Sequence, residues 1–155
     1  MKKIICLALV LVSVAFGGCD KKTEIGLKSR VEFTVCDGFS GLPMENVTVI
    51  VPECELVLQT GSNGKTEEAD ILIADESRLP YPDGVGTFSV LAFKEGYNDF
   101  ALFFAMAEEG EVRRLKVYMF SLDTPFNKGV PLTTVESPEG EWFEDLVEFY
   151  KSKYA

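Results

Sequence analysis

The chain of 155 residues contains no histidine. Nucleophilic sites of the Ser-His-Asp and Cys-His types and zinc sites that use histidine all need an imidazole, so these are excluded. Of the four cysteines, Cys6 and Cys19 lie in an N-terminal segment unlike the rest. The other two, Cys36 and Cys54, lack CxxC spacing and cannot complete a four-cysteine zinc site. We therefore expect no metal and no cofactor; calcium on oxygen ligands is the one metal that the composition still permits.

Basic residues are also scarce. The 15 Lys and Arg stand against 25 Asp and Glu, which gives a formal net charge of −10. The densest basic group is Arg113, Arg114 and Lys116 on one predicted strand. Nucleic acids and anionic lipid surfaces are both bound through clustered cations. The composition therefore excludes nucleic acid as a partner and disfavours electrostatic docking on a membrane.

Long apolar runs are absent after the N-terminus. Two lysines there precede a largely apolar stretch, residues 4–16, and two glycines then lead to Cys19. A membrane-spanning helix needs about 20 apolar residues, whereas this order of basic, apolar and small residues is typical of a secretory signal. We expect residues 1–18 to be a signal peptide and the polar residues 19–29 to be a tether.

Alternating apolar residues between positions 30 and 122 predict about seven β-strands. These predicted strands cover residues 30–36, 47–51, 56–60, 66–73, 87–94, 99–106 and 112–120. The strand at 87–94 is apolar on both faces, which is typical of a central strand. The first two strands are expected to form a hairpin, and Asn63-Gly64 is expected to close a second hairpin between the next two. Seven strands with turn signals between them favour a β-sandwich.

The first predicted hairpin also bears on the cysteines. A turn centred near residue 41 sets Cys36 opposite about Val47, which leaves Cys54 about seven residues, or roughly 23 Å, further along. Bridged cysteines have Cα atoms within about 7 Å of each other. We therefore expect Cys36 and Cys54 to be unpaired.

The C-terminal region, residues 123–155, is expected to be an extended segment followed by an amphipathic helix. Ser137-Pro138-Glu139 has the residues of a helix start. Apolar side chains then recur at helical spacing: Trp142, Phe143, Leu146, Val147, Tyr150 and Tyr154. This spacing predicts that the stripe covers part of the sandwich as core, and a sugar-stacking platform is the alternative.

The longest connection, residues 74–86, is the candidate ligand-binding loop. It exceeds what its connection requires and is stiffened by Pro80 and Pro82, which reduces the entropy lost on binding. The candidate contact residues are Asp75, Arg78, Tyr81 and Asp83. The alternative is a surface insertion in which Leu79 and Tyr81 only cap the edge of the sandwich.

Residues 16–19, Phe-Gly-Gly-Cys, resemble the lipobox of bacterial lipoproteins. In that family the signal peptide is removed and the cysteine becomes the lipidated N-terminus. The resemblance implies that Cys19 carries the lipid, palmitate among its acyl groups, and holds the protein on the extracytoplasmic face of the cell membrane.

Residues 30–120 resemble the carboxypeptidase regulatory-like, or prealbumin-like, domain. Its motifs occur here in order: Asp37, Gly41 and Pro43 in the first loop, Thr60 and Gly64 in the second turn, and Lys94, Gly96 and Tyr97 after the central strand. The resemblance implies a seven-stranded antiparallel Greek-key β-sandwich over residues 30–122.

The same resemblance implies a function without catalysis, since the domain is an accessory fold and its enzymatic relatives use histidines. We therefore expect a non-enzymatic binding or structural module with a protein or glycan partner. The alternative is a hydrolase that uses loop carboxylates, or a surface stalk that closes an isopeptide bond, for which Lys28 and Asn127 are the candidate residues.

Overall fold

A computed structural model describes residues 26–74, 81–124, 129–136 and 141–154. The predicted signal peptide (residues 1–18), the predicted helix start (residues 137–139) and the candidate residues Cys19, Asp75, Arg78 and Asn127 lie outside the described residues. The strands are β1 (Leu27–Asp37), β2 (Thr48–Val51), β3 (Leu56–Gln59), β4 (Ala69–Ile73), β5 (Val85–Phe93), β6 (Phe100–Glu108), β7 (Val112–Met119) and β8 (Leu132–Val135). A short 3-10 helix, Pro52–Cys54, joins β2 to β3, and the helix α1 spans Glu141–Tyr154.

The eight strands form two sheets that pack face to face. One sheet has the order β4-β1-β7 and the other has the order β3-β2-β5-β6-β8. The predicted central strand is confirmed, because β5 lies in the middle of the larger sheet and Phe88, Val90 and Ala92 are buried. Side chains alternate across a strand, so each sheet contributes every second residue to the core.

The core between the sheets is built largely from β-branched residues. Such residues have stiff side chains that pack well on a pleated surface. The core residues that β1, β2 and β7 contribute are five valines, Val31, Val35, Val49, Val51 and Val117, together with Phe33 and Met119. All seven belong to apolar faces that the alternation predicts. The first strand begins earlier than expected, since Leu27 already pairs with Ile73.

Two features of the predicted fold class are wrong: the sheets are mixed instead of antiparallel, and the described residues contain eight strands instead of seven. Strand β1 pairs in parallel with β7, and β6 pairs in parallel with β8. The eighth strand, β8, lies where an extended segment is predicted. It has only four residues, and such a short run directly after Pro131 gives little alternation to detect.

The two predicted hairpins are also wrong. Strands β1 and β2 lie in different sheets, as do β3 and β4, so both connections cross from one sheet to the other. The observed antiparallel neighbours in sequence are β2 with β3 and β5 with β6. The turn residues are as expected, but a turn signal does not reveal whether the chain stays in its sheet.

Cys36 and Cys54 are nevertheless free, as predicted.

The C-terminal helix forms as predicted, but its aromatic stripe is not core. No residue of α1 is buried; Tyr150 is 51% exposed and Tyr154 is 74% exposed. Along the helix the rings instead pack on one another, with 6.2 Å between the centres of Tyr150 and Tyr154. None of the helices in the described ranges is long and apolar enough to cross a membrane.

Candidate functional site

The motif residue Asp37 shapes the first loop between the sheets. Its Oδ1 accepts hydrogen bonds from the backbone N–H of Phe39 (3.1 Å) and from both the N–H and the hydroxyl of Ser40 (2.7 and 2.8 Å). The bonds from Ser40 are the main reason that the pKa of Asp37 lies below its ordinary value. Burial, and then the charge of Asp37, raises the pKa of Tyr97. The first loop and the turn after β5 thus meet through Asp37 and Tyr97.

Thr60 and Gly64 shape the crossing from β3 to β4. The buried Thr60 hydroxyl donates to the carbonyl oxygen of Met44 (2.6 Å) and accepts from the N–H of Val47 (3.0 Å). The carbonyl oxygen of Gly64 accepts from the N–H of Val35 in β1 (2.8 Å). Thr60 therefore ties the end of β3 to the connection between β1 and β2, and Gly64 ties the turn to β1.

Of the candidate loop, Ala74 and the residues from Tyr81 onward are described. The Tyr81 ring packs edge to face on Trp142, the first aromatic residue of α1, with ring centres 5.7 Å apart. Asp83 is exposed to solvent. Tyr81 thus contacts the start of α1. A role of the loop in binding stays a prediction, because Asp75 and Arg78 lie outside the described residues.

A second candidate site is a cleft between the edge strands β7 and β8. Its volume is about 760 Å³, within the range of roughly 300–1,000 Å³ typical of ligand sites. The residues that line it are Gly38, Phe100, Leu102, Arg113, Leu115, Lys116, Tyr118, Phe120, Leu132, Thr134 and Glu136. Strand β6 supplies the floor, and the two edge strands supply the walls.

An ion pair joins the two walls of the cleft. Arg113 of β7 forms an ion pair with Glu136, whose second oxygen accepts from the N–H of Met106 (3.1 Å). Outside the cleft, just before β8, the side chain of Asn98 donates to the carbonyl oxygen of Val130 (2.8 Å). Arg113 Nε and Asn98 Oδ1 are buried and have no hydrogen-bond partner within the described part of the chain. Such unpaired buried atoms are uncommon in folded proteins.

The chemistry of the cleft suits binding. Its floor and walls are largely aliphatic and aromatic, and Glu136 is the one acid among its lining residues. That carboxylate already receives Arg113 and the Met106 N–H. In the described ranges, no group of three His, Cys, Asp or Glu residues could hold a metal ion.

The sequence prediction missed this cleft because it missed β8. The alternation in β7 predicts that Leu115 is core, yet Leu115 is only half-buried and lines the cleft. Arg113 is part of the basic group found in the sequence, but its ion-pair partner lies just beyond the unpredicted strand. The one sequence feature that could indicate β8 is the short run 132–136, in which every second side chain lines the cleft.

Comparisons with known proteins identify no family: no protein-family model and no curated protein matches the chain. A Bacteroides fragilis protein described as membrane-associated and of unknown function is 12% identical, with a TM-score of 0.43. That alignment covers 63% of this chain and 29% of the other. A chain in a cohesin–X-dockerin complex from Acetivibrio cellulolyticus is 16% identical, with a TM-score of 0.45. That alignment covers 79% of this chain and 72% of the other. The Bacillus anthracis TIE protein is 16% identical, with a TM-score of 0.37. That alignment covers 60% of this chain and 16% of the TIE protein. The chain thus spans less than a third of the first and last of these proteins.

Proposed function

We propose that this protein is a lipid-anchored, extracytoplasmic module that binds a protein partner in the cleft between β7 and β8 and performs no catalysis. The cleft is the observation that carries the proposal: it is open, mostly apolar and flanked by two edge strands. Exposed sheet edges beside apolar surface are typical of sites that receive another chain. The prealbumin-like motifs add support, since that resemblance implies an accessory module.

The alternative of a carboxylate-based hydrolase has less support in the cleft. A glycosidase of the usual kind needs two carboxyl groups that face one bond. The cleft offers Glu136 alone, and both of its oxygens are engaged. For the alternative of an isopeptide-forming stalk, Lys28 is exposed on β1, while Asn127 lies outside the described residues. An intact mass lower by one ammonia than the sequence requires would support that alternative and contradict the proposal.

The membrane anchor is tested by replacing Cys19 with Ala. We expect the variant to lose palmitate labelling and to leave the membrane fraction, because the thiol is the site of lipid attachment in the lipobox pattern. Cys54→Ala is the matched control, since it removes a free cysteine of the sandwich and should stay in the membrane. A Cys19→Ala protein that remains membrane-bound through detergent-free washing would contradict the anchor.

The binding site is tested by photo-crosslinking in cells with benzoylphenylalanine in place of Thr134. The Thr134 side chain lines the cleft, so we expect an adduct with a partner protein. Thr133 is the matched control, because it is the preceding residue of β8 and its exposed side chain points to the opposite face. Equal adduct yields from the two positions would show that the cleft is not the binding site.

A further inference from the structure

The free edge of β7 points into the cleft. The carbonyl oxygen of Glu111 accepts a hydrogen bond from the N–H of Arg30 in β1 (3.0 Å), and that of Met119 accepts one from the N–H of Gly38, directly after β1 (2.8 Å). In a strand, the N–H and C=O of one residue point to the same side, and successive residues alternate. Odd-numbered residues of this strand therefore bond to β1, and even-numbered residues point away from it. The carbonyl oxygen of Phe120, the next even-numbered residue after the strand, follows this alternation, because it accepts from the N–H of Asn98 and not from β1.

Arg114, Lys116 and Tyr118 thus direct their backbone N–H and C=O groups away from β1. Within the described ranges, β7 has no second neighbour in its sheet, and no backbone hydrogen bond reaches these three residues from the outer side. Lys116 and Tyr118 line the cleft. The cleft therefore presents an apolar floor beside a row of unpaired main-chain donors and acceptors.

We propose that the partner binds by strand addition: an extended segment of the partner pairs with β7 inside the cleft. This inference rests on the proposed function and adds the mode of recognition to it. The backbone of the added strand would satisfy the outward groups of residues 114, 116 and 118. Main-chain bonds supply affinity in this mode, and pockets for alternate side chains supply specificity.

The two faces of β7 define the chemistry of the added segment. Its inward side chains would lie over Leu102, Leu115 and Leu132, so they should be apolar. Its outward side chains would lie beside Arg114 and Lys116, which are exposed, so they should be acidic. A segment that alternates apolar and acidic residues therefore fits this edge.

A second copy of this chain fits the edge poorly. Antiparallel pairing of β7 with another β7 would place Arg114 and Lys116 of one copy against the same cations of the other, and like charges on neighbouring strands are destabilising. Both whole chains also carry a net charge of −10. The charges thus favour a different protein as the source of the segment.

The experiment measures binding of a labelled peptide as long as β7, 8 residues, that alternates Glu with Val, to the full mature protein in detergent. A peptide with Lys in place of Glu is the charge control. We expect the acidic peptide to bind at least about tenfold more tightly than the basic one. We also expect the bound peptide to slow amide hydrogen exchange at Arg114, Lys116 and Tyr118.

Two substitutions at Lys116 separate the main chain from the charge. Lys116→Pro removes the outward N–H without touching the bonds to β1, and an edge strand tolerates proline at such a position. Lys116→Ala removes the charge and keeps the N–H. We expect Lys116→Pro to weaken peptide binding about tenfold or more and Lys116→Ala by only a few-fold. Equal losses in the two variants, or binding without amide protection in the wild type, would overturn strand addition.

The remaining outcomes separate this inference from the proposed function. If the Thr134 adduct persists in Lys116→Pro at its wild-type yield, the partner uses the cleft without pairing to β7, and only strand addition fails. If the wild type gives no adduct, both proposals fail. If the wild type is a dimer in sedimentation and Lys116→Pro is a monomer, a second copy takes the edge and strand addition by a partner is wrong. Amide protection in the wild type decides the matter even if Lys116→Pro does not fold.

Discussion

Replacing Gly64 with Ala is expected to lower the free energy of unfolding by about 3 kcal/mol or more. Gly64 has a φ of +73°, where side chains other than glycine are strained. An added Cβ would also lie 2.7 Å from the carbonyl oxygen of Val35, 2.8 Å from Cβ of Pro43 and 3.0 Å from the amide nitrogen of Met44. Backbone atoms on both sides of the crossing would have to move apart, so the contact between the sheets would be lost.

Gly41→Ala is the matched control for Gly64→Ala. Its φ of +71° is nearly the same, but nothing lies within 4 Å of the position of an added Cβ. This variant should therefore show the backbone strain alone, about 1 kcal/mol. Urea unfolding of both variants gives the comparison. Similar losses in the two proteins would mean that close packing at Gly64 contributes nothing.

The two glycines show what a sequence motif reveals. Both belong to turn motifs identified in the sequence, and both adopt the positive φ that their turns require. The sequence thus predicts that a turn exists and which residues form it. It does not predict that the chain after each turn enters the other sheet, since alternation within a strand is the same in either sheet. For this reason the strands of the core are predicted well and their pairing is not.

The parallel pairs are invisible to local patterns for a related reason. Strands β1 and β7 are neighbours although Arg30 pairs with Val112, far away along the chain. Nothing in either strand specifies the other beyond apolar faces of similar length.

The helix α1 shows a different limit of sequence patterns. Its periodicity predicts an apolar stripe correctly, but periodicity does not show whether another element covers that stripe.

The cleft depends on these unpredicted features. Its walls are the edges of two sheets, and one of those edges is β8. The candidate loop, in contrast, was detectable because length and proline content are local properties. Of its four candidate residues, Tyr81 and Asp83 are described, and Tyr81 contacts α1 instead of facing open solvent. A site formed between the edge strands of two sheets can be predicted only once the order of the strands in both sheets is known.

Replacing Thr60 with Val is expected to lower the free energy of unfolding by about 3 kcal/mol. Thr60 is 3% exposed, and its hydroxyl joins the carbonyl oxygen of Met44 to the N–H of Val47. Valine has nearly the same shape but no hydroxyl, so the packing stays and both buried backbone groups lose their partner. Each unsatisfied group costs roughly 1–3 kcal/mol.

Thr60→Ser separates this loss from the loss of packing. Serine keeps the hydroxyl and removes one methyl group, which should cost only about 1 kcal/mol. The order of stability by urea unfolding is therefore expected to be wild type, then Ser, then Val. If the Val variant were as stable as the Ser variant, water or a shifted backbone would be satisfying Met44 and Val47. Thr60 would then contribute through packing alone, and the hydrogen bonds would not explain the threonine of the Thr60–Gly64 motif.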